Sequence, residues 1–214
     1  APAAPHATGV LPSHVLRGLI RDGEVVAADG IGEGQIQPAS IDLRLGQVAH
    51  RVRASFLPGA VATVADKIGQ LGMHRIDLTA GAVLEKGCVY IVPLQESLRL
   101  GADISGLANP KSSAGRLDIF TRLITDNATE FERVPAGYGG PLYVEIFPRA
   151  FSVIVRAGSR LNQLRLRRGA GAFGEAELRR LHALVPLIDR DLPEDRLGAG
   201  IPLSVDLLGD SGWP

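Results

Sequence analysis

Apolar and polar residues alternate with a period of two over much of the chain between residues 36 and 168, in short runs parted by glycine and proline. That pattern predicts strands. In the run 36–53, Ile41, Leu43 and Leu45 alternate with Asp42 and Arg44, and Gly46 marks a turn. Between residues 77 and 100, apolar runs are broken by Gly81, Gly87 and Pro93, as successive strands would be. Around residue 145, Leu142, Val144 and Ile146 fall on one face of a strand, and Tyr143, Glu145 and Phe147 on the other. Residues 151–155 and 161–168 predict two more strands joined by a turn at Arg156, Ala157, Gly158 and Ser159. Helical segments are expected at three places. Val15, Leu16, Leu19 and Ile20 follow Ser13, which reads as an N-cap, and Gly23 reads as the stop. A helical turn is expected at Val64–Leu71 inside a loop over residues 54–75, and Glu175–Leu184 has the spacing of an amphipathic helix. The stretch 117–133, made polar by Asp118, Asp126, Asn127, Thr129, Glu130 and Glu132, is expected to include a loop. The fold class that follows is all-β, that is, mainly β with short helices.

Composition narrows this further. Twenty-six glycines and 14 prolines with 5% aromatics, in 214 residues, suit many short strands joined by turns. The 23 basic and 23 acidic residues cancel, so the chain carries no electrostatic footprint for nucleic acid. No apolar run approaches the roughly 20 residues of a membrane span. Cys88 is the sole cysteine, which rules out an internal disulfide, fits a reducing compartment and reads as a small core residue. Residues 1–12 begin Ala-Pro-Ala-Ala-Pro, without the basic and apolar regions of a signal peptide, and read as a flexible tail of a cytoplasmic protein. One domain is expected over residues 13–185 and a linker over 186–200. Ser40-Ile-Asp-Leu-Arg-Leu-Gly46 is echoed by Ser204-Val-Asp-Leu-Leu-Gly209, so residues 201–214 read as the start of a second, truncated module.

Two stretches carry candidate chemistry. Residues 109–116 place Lys111 and Arg116, the hydroxyls of Ser112 and Ser113, and Gly115 close together. Cations supply charge, hydroxyls donate, and glycine lets backbone N–H groups approach, so the set suits a phosphate chain. Taken alone, the same residues also make an ordinary solvated turn. Glu145 is the one charge in the apolar strand 139–148, flanked on its face by two aromatic side chains. Such a carboxylate loses solvation, which suits it to carrying protons; its ordinary reading is a rim residue. Asp42 and Arg44 are candidate functional residues; their ordinary reading is a polar strand face paired across a sheet, or a subunit contact. Phosphate grip and proton carrier together point to an enzyme acting on a nucleotide.

These blocks resemble one family in particular. Lys111-Ser112-Ser113 with Arg116, then Ala136-Gly137-Tyr138-Gly139-Gly140, then the strand with Glu145 look like the dCTP deaminases of the dUTPase-like superfamily. The upstream Gln37-Pro38-Ala39-Ser40-Ile41-Asp42-Leu43-Arg44-Leu45-Gly46 is similar to that family's early strand. The resemblance covers roughly residues 13–168 and, with the echo at 204–209, fits the long bacterial form that carries two tandem modules. It implies a dUTPase-like β-clip barrel and hydrolytic deamination of dCTP to dUTP and ammonia, within dUTP biosynthesis.

The same resemblance implies roles. Glu145 would move protons from water to the ring, Ser112 would orient that water, and Arg116 would fix the carboxylate. Lys111 and Ser113, with Ala114 and Gly115, would bind the nucleotide's phosphates, and backbone groups around Tyr143 and Val144 would read the pyrimidine edge. Mg²⁺ would arrive on the triphosphate. No zinc is implied, since the chain lacks the His-x-Glu and Cys-x-x-Cys of zinc deaminases. Active sites in this family form between subunits, so a homotrimer or higher homo-oligomer is expected. The chain departs from the pattern at Lys111 (usually Arg), Pro135 (commonly Asp) and Tyr138 (usually Trp). It also has no Tyr followed by Lys and Gln near its C-terminus. A dUTPase, a bifunctional deaminase-diphosphatase, or a non-catalytic trimerising half of a tandem deaminase are the alternative readings.

Overall fold

The computed structural model describes residues 8–169, 174–187 and 200, so the echo at 204–209 and most of the expected linker lie outside the described residues. The strands are β1 (Gly9–Val10), β2 (Val25–Ala27), β3 (Ile36–Gln37), β4 (Ser40–Leu43), β5 (Val48–Val52), β6 (Gly72–Asp77) and β7 (Ala82–Leu84). They continue as β8 (Val89–Arg99), β9 (Ile104–Pro110), β10 (Ile119–Thr125), β11 (Arg133–Val134), β12 (Gly139–Pro148), β13 (Val153–Val155) and β14 (Asn162–Arg168). The helices are α1 (Ser13–Arg21), α2 (Val64–Leu71), the single turn α3 (Ser112–Gly115) and α4 (Glu175–Leu184). Backbone contacts divide the chain after Gly169. The β domain therefore closes earlier than the expected boundary at residue 185, and α4 belongs to the second unit. Within that unit α4 is tied by an ion pair between Arg179 and Glu175, one turn apart.

Two six-stranded sheets build the first unit. One runs β11-β9-β14-β4-β3, with β1 also on β14; the other runs β10-β12-β8-β5-β6, with β2 also on β8. Both stay open, so the expected barrel is realised as two facing sheets. The main core lies between them because each contributes one apolar face. Ile41 and Leu43 of β4 and Leu164 and Leu166 of β14 meet Tyr90, Val92 and Leu98 of β8 and Leu142, Val144 and Ile146 of β12. Each of these aliphatic side chains, taken fully out of water, contributes on the order of 1.5–3 kcal/mol. The second sheet has a further apolar layer on its outer face, where Ile91, Ile124 and Tyr143 pack with Val52, Phe56 and Val64.

The period-two reading holds for β4, β12 and β14, and β7 and β8 fall within the strands expected over residues 77–100. Gly46 does lie in a tight connection: a Cβ there would sit 2.6 Å from the Pro93 carbonyl oxygen, which accepts the Gly46 N–H at 2.8 Å. Other expectations need correcting. β1 pairs with Arg167 and Arg168, so the end of the expected loose tail is a strand. Ser13 opens α1 instead of capping it; extended Pro12 takes the cap position. Helix α2 falls where expected, held by a capping box in which the Thr63 N–H donates to Asp66 and the Asp66 N–H donates to Thr63 Oγ1. The loop expected over 54–75 ends earlier, since β6 begins at Gly72 and pairs with β5.

The largest correction concerns residues 117–133. Seven of them form β10, paired in register with β12 from Ile119 opposite Pro148 to Thr125 opposite Leu142. The charged residues of that stretch, Asp118 before the strand and Asp126, Glu130 and Glu132 after it, hide an alternating apolar core of Ile119, Thr121, Leu123 and Thr125, all buried. No helix among the described residues is long and apolar enough to cross a membrane.

Candidate active site

Glu145 sits in the middle of β12, the second strand of its sheet, opposite Arg122 on β10 and Ile91 on β8. Its neighbours along the strand alternate as the sequence implies: Val144 and Ile146 face the main core, Tyr143 the outer layer. Glu145 shares the outer face and is only 1% exposed. A carboxylate so placed needs a partner, and Arg122 provides it. Its Nε and Nη2 both donate to Glu145 Oε1, at 3.0 and 2.6 Å. The Arg122 Nη2 also donates to Ser55 Oγ at 2.8 Å, and the guanidinium lies 3.7 Å over the Phe131 ring and 5.1 Å from that of Phe120. The other carboxylate oxygen, Oε2, is buried with no hydrogen-bond partner among the described residues.

The phosphate-binding candidates gather elsewhere. Lys111, extended, precedes α3 and lies with Ser112 on a cleft of ≈ 370 Å³ that also takes in Gln37, Ser40, Asp42, Gln163 and Arg165. Lys111 Nζ pairs with Asp42 Oδ2, and Arg160 Nη1 stands 3.8 Å from the same oxygen. Ser40 Oγ donates to Gln163 Oε1 at 3.1 Å. Lys111 is therefore a neutralised cation, whereas Arg165, exposed on the same cleft, has no ion-pair partner among the described residues. The backbone N–H groups of Ala114 and Gly115 donate to the Lys111 carbonyl at 2.9 and 3.0 Å, so the turn uses them internally. Ser113 and Arg116 are exposed.

The predicted site residues thus fall into two groups. Glu145, Tyr143 and Val144 lie on β12; Lys111, Ser112, Ser113, Ala114, Gly115 and Arg116 lie around α3. Among the described residues, no hydrogen bond or ion pair joins Glu145 to Ser112 or Arg116. The sequence reading gives Arg116 the task of fixing the carboxylate, and within this chain Arg122 does so. Arg122 lies in residues 117–133 and Ser55 in residues 54–75, both read as loop-bearing stretches. The available signal was a single cation inside the apolar run Ile119–Thr125, the counterpart of the single anion in β12.

Glu132 is a second missed carboxyl. It takes the left-handed conformation (φ 66°), its Oε2 is buried without a partner, and its N–H donates to the Leu123 carbonyl. Burial raises its pKa from the ordinary 4.5 to about 7, against weaker lowering by the Leu123 backbone and Arg122. Between those values the folded chain keeps a proton that the unfolded chain has lost, so rising pH removes stability over that window. At 1.36 kcal/mol per unit, this group alone makes the fold weaker at pH 8 than at pH 4.5 by roughly 2–3 kcal/mol. Glu132→Gln should remove that slope, as read from urea unfolding between pH 5 and 8. An unchanged slope would assign the pH dependence to other groups. Tyr138, whose hydroxyl donates to the Pro141 carbonyl at 2.7 Å and accepts from the Asp126 N–H, is pushed up to about 12 by burial. It joins the loop after β10 to the start of β12.

Residues 7–170 match the family described as the N-terminal domain of 2'-deoxycytidine 5'-triphosphate deaminase, nearly the same span as the first compact unit. The crystal structure of 2'-deoxycytidine 5'-triphosphate deaminase from Agrobacterium tumefaciens is 54% identical in sequence, with a TM-score of 0.78. The match covers 86% of this chain and 55% of that one, so the chain spans about half the length of this relative. Fainter likenesses reach the EIAV dUTPase (15% identity, TM-score 0.35, 44% of this chain and 72% of that one). A point mutant of the Staphylococcus bacteriophage 80alpha dUTPase, solved with dUpNHpp, gives 17% identity and a TM-score of 0.32 over 41% of this chain and 70% of that one.

Proposed function

The chain belongs to the 2'-deoxycytidine 5'-triphosphate deaminase family through its N-terminal domain, and we propose that it deaminates dCTP hydrolytically, yielding dUTP and ammonia. The observation that carries this reading is the Glu145 carboxylate: buried, anchored through one oxygen, and free of any protein donor on the other. A water attacking C4 of the cytosine ring gives up a proton to Glu145, which passes it to N3 of the ring. Glu145 then takes the second proton from the new hydroxyl and delivers it to the exocyclic amine. The C4–N bond breaks, ammonia leaves and the carbonyl of uracil forms. A carboxylate withdrawn from solvent suits this traffic because no bulk water competes for it. Ser112 would orient the water, and Arg116 would balance charge as it develops.

The Lys111 cleft is the matching place for the triphosphate, with Ser112 and Arg165 as free donors and Lys111 held by Asp42. Mg²⁺ would come with the nucleotide, since Asp42, the carboxylate of the cleft, already has Lys111 as partner. No group of three or more His, Cys, Asp or Glu able to hold a metal ion occurs among the described residues. Free Cys88 is in keeping with a reducing, cytoplasmic setting.

Because no bond joins Glu145 to Ser112 or Arg116 within one chain, we place the complete site between subunits of a homo-oligomer, β12 from one meeting α3 from the next. Mixing decides this. A Glu145→Gln chain and a Ser112→Ala chain, each deficient alone, should regain about a quarter of the wild-type rate after co-refolding as a randomly mixed cyclic trimer. Half the subunits supply an intact Glu145 and half an intact Ser112, so one interface in four carries both. Mixtures no better than the sum of their parts would place the site within a single chain.

A further inference from the structure

We propose that Arg122 is a positioning residue that assigns the two oxygens of Glu145 to different tasks: Oε1 is held, and Oε2 carries the proton. The proposal rests on the deaminase reading of Glu145 and adds a residue to it. A carboxylate's oxygens are chemically equivalent until the surroundings distinguish them. Here the asymmetry is complete, with two guanidinium donors on Oε1 at 3.0 and 2.6 Å and none on Oε2. A proton arriving on Oε1 would face N–H groups already pointing at it, donor against donor. On Oε2 it meets no such opposition. A half-turn of the carboxyl group would exchange the two oxygens, and the forked contact resists that turn because both bonds would break together.

Arg122 can do this because it is itself fixed on three sides. Ser55 Oγ takes a bond from Nη2, the Phe131 ring lies 3.7 Å from the guanidinium, and Phe120 flanks it. Cation–aromatic stacking and the planar fork belong to arginine and not to lysine, whose ammonium is a point charge on a flexible stem. The supports come from three separated stretches: the loop after β5, β10 itself, and the loop after β10. Arginine at 122 therefore couples the geometry of Glu145 to two loops at the outer face of the sheet.

Arg122→Ala should lower kcat by about a hundredfold, the scale of a misplaced reacting group, with KM within about threefold of wild type. Arg122→Lys should recover part of kcat, leaving it about tenfold down, because one bond returns without the fork or the stacking. Ethylguanidinium added at millimolar concentration should raise the rate of Arg122→Ala and leave Arg122→Lys unchanged. A kcat for Arg122→Ala near wild type, or a loss confined to KM, would overturn the proposal. A second readout needs no turnover: with [δ-13C]glutamate incorporated, the carboxyl resonance that vanishes in Glu145→Gln should move in Arg122→Ala and stay put in Arg179→Ala, which breaks only an ion pair within α4. A resonance indifferent to Arg122 overturns the positioning role. Absence of dCTP deamination by the wild-type chain, with that resonance still responding to Arg122, would instead overturn the deaminase reading and leave the held carboxylate standing.

Discussion

Replacing Glu145 by glutamine should reduce dCTP deamination at least a thousandfold, toward the upper part of the 10²–10⁴ range of a lost acid-base group. The amide keeps the volume of the side chain, and its oxygen can still accept from Arg122. What it loses is the ability to take up and release a proton at Oε2. The fold should survive. Arg122 remains 26% exposed and stacked on Phe131, so its charge is not stranded in the interior. Removing a buried carboxylate also removes its desolvation penalty. Turnover followed by the change from cytosine to uracil absorbance, together with a melting curve and a sizing column, separates the two effects. A variant that keeps more than about 1% of wild-type turnover, with fold and assembly intact, would remove Glu145 from the chemistry.

The second large effect is on stability. Glu96 of β8 is fully buried and accepts three hydrogen bonds: from the Arg44 backbone N–H at 2.8 Å, Arg44 Nε at 2.8 Å and Gln35 Nε2 at 2.9 Å. Arg44 Nη2 reaches on to the Gly30 carbonyl, and Gln35 also donates to the Asp42 carbonyl. This network joins the 3-10 turn at Glu33–Gln35, the end of β4 and the centre of β8, so it ties one sheet to the other. Arg44→Ala would leave an uncompensated carboxylate in the interior, at a cost of about 3–5 kcal/mol. Urea unfolding at fixed protein concentration measures it. Arg44→Met combined with Glu96→Met should recover most of that loss, since two apolar side chains of similar length leave no charge behind. A loss below about 1 kcal/mol in Arg44→Ala would give the pair no more weight than an exposed ion pair.

Of the two readings open for Asp42 and Arg44 from the sequence, the ordinary one holds for Arg44 in this chain: it pairs with Glu96 across to β8. Asp42 pairs with Lys111 and thereby removes the free charge that the sequence had placed on the phosphate. Pairing of this kind depends on residues 52 and 69 positions apart. No local pattern shows which of several Asp, Glu, Lys and Arg will meet when sheets close.

Alternation over residues 36–53, 139–148 and 161–168, with the broken apolar runs over 77–100, was enough to expect a mainly β chain, because a strand buried on one face must place apolar residues at every second position. Helices α1 and α4 were legible from apolar spacing, whereas α2 was expected only as a helical turn inside a loop, and its capping box holds the start. Glu145 could be picked out because a lone charge in an apolar strand is costly unless it has work or a partner. The partner itself could not be named. Arg122 lies 23 residues earlier, in a stretch whose charged ends masked a strand, and it meets Glu145 only through the antiparallel register of β10 on β12. The open sheets, the separation of α3 from β12 within one chain, and the unpartnered Oε2 likewise arise from packing. Backbone periodicity is a local property, set by each residue and its neighbours. Register and charge pairing depend on which distant surfaces exclude water together, and only the folded chain settles that.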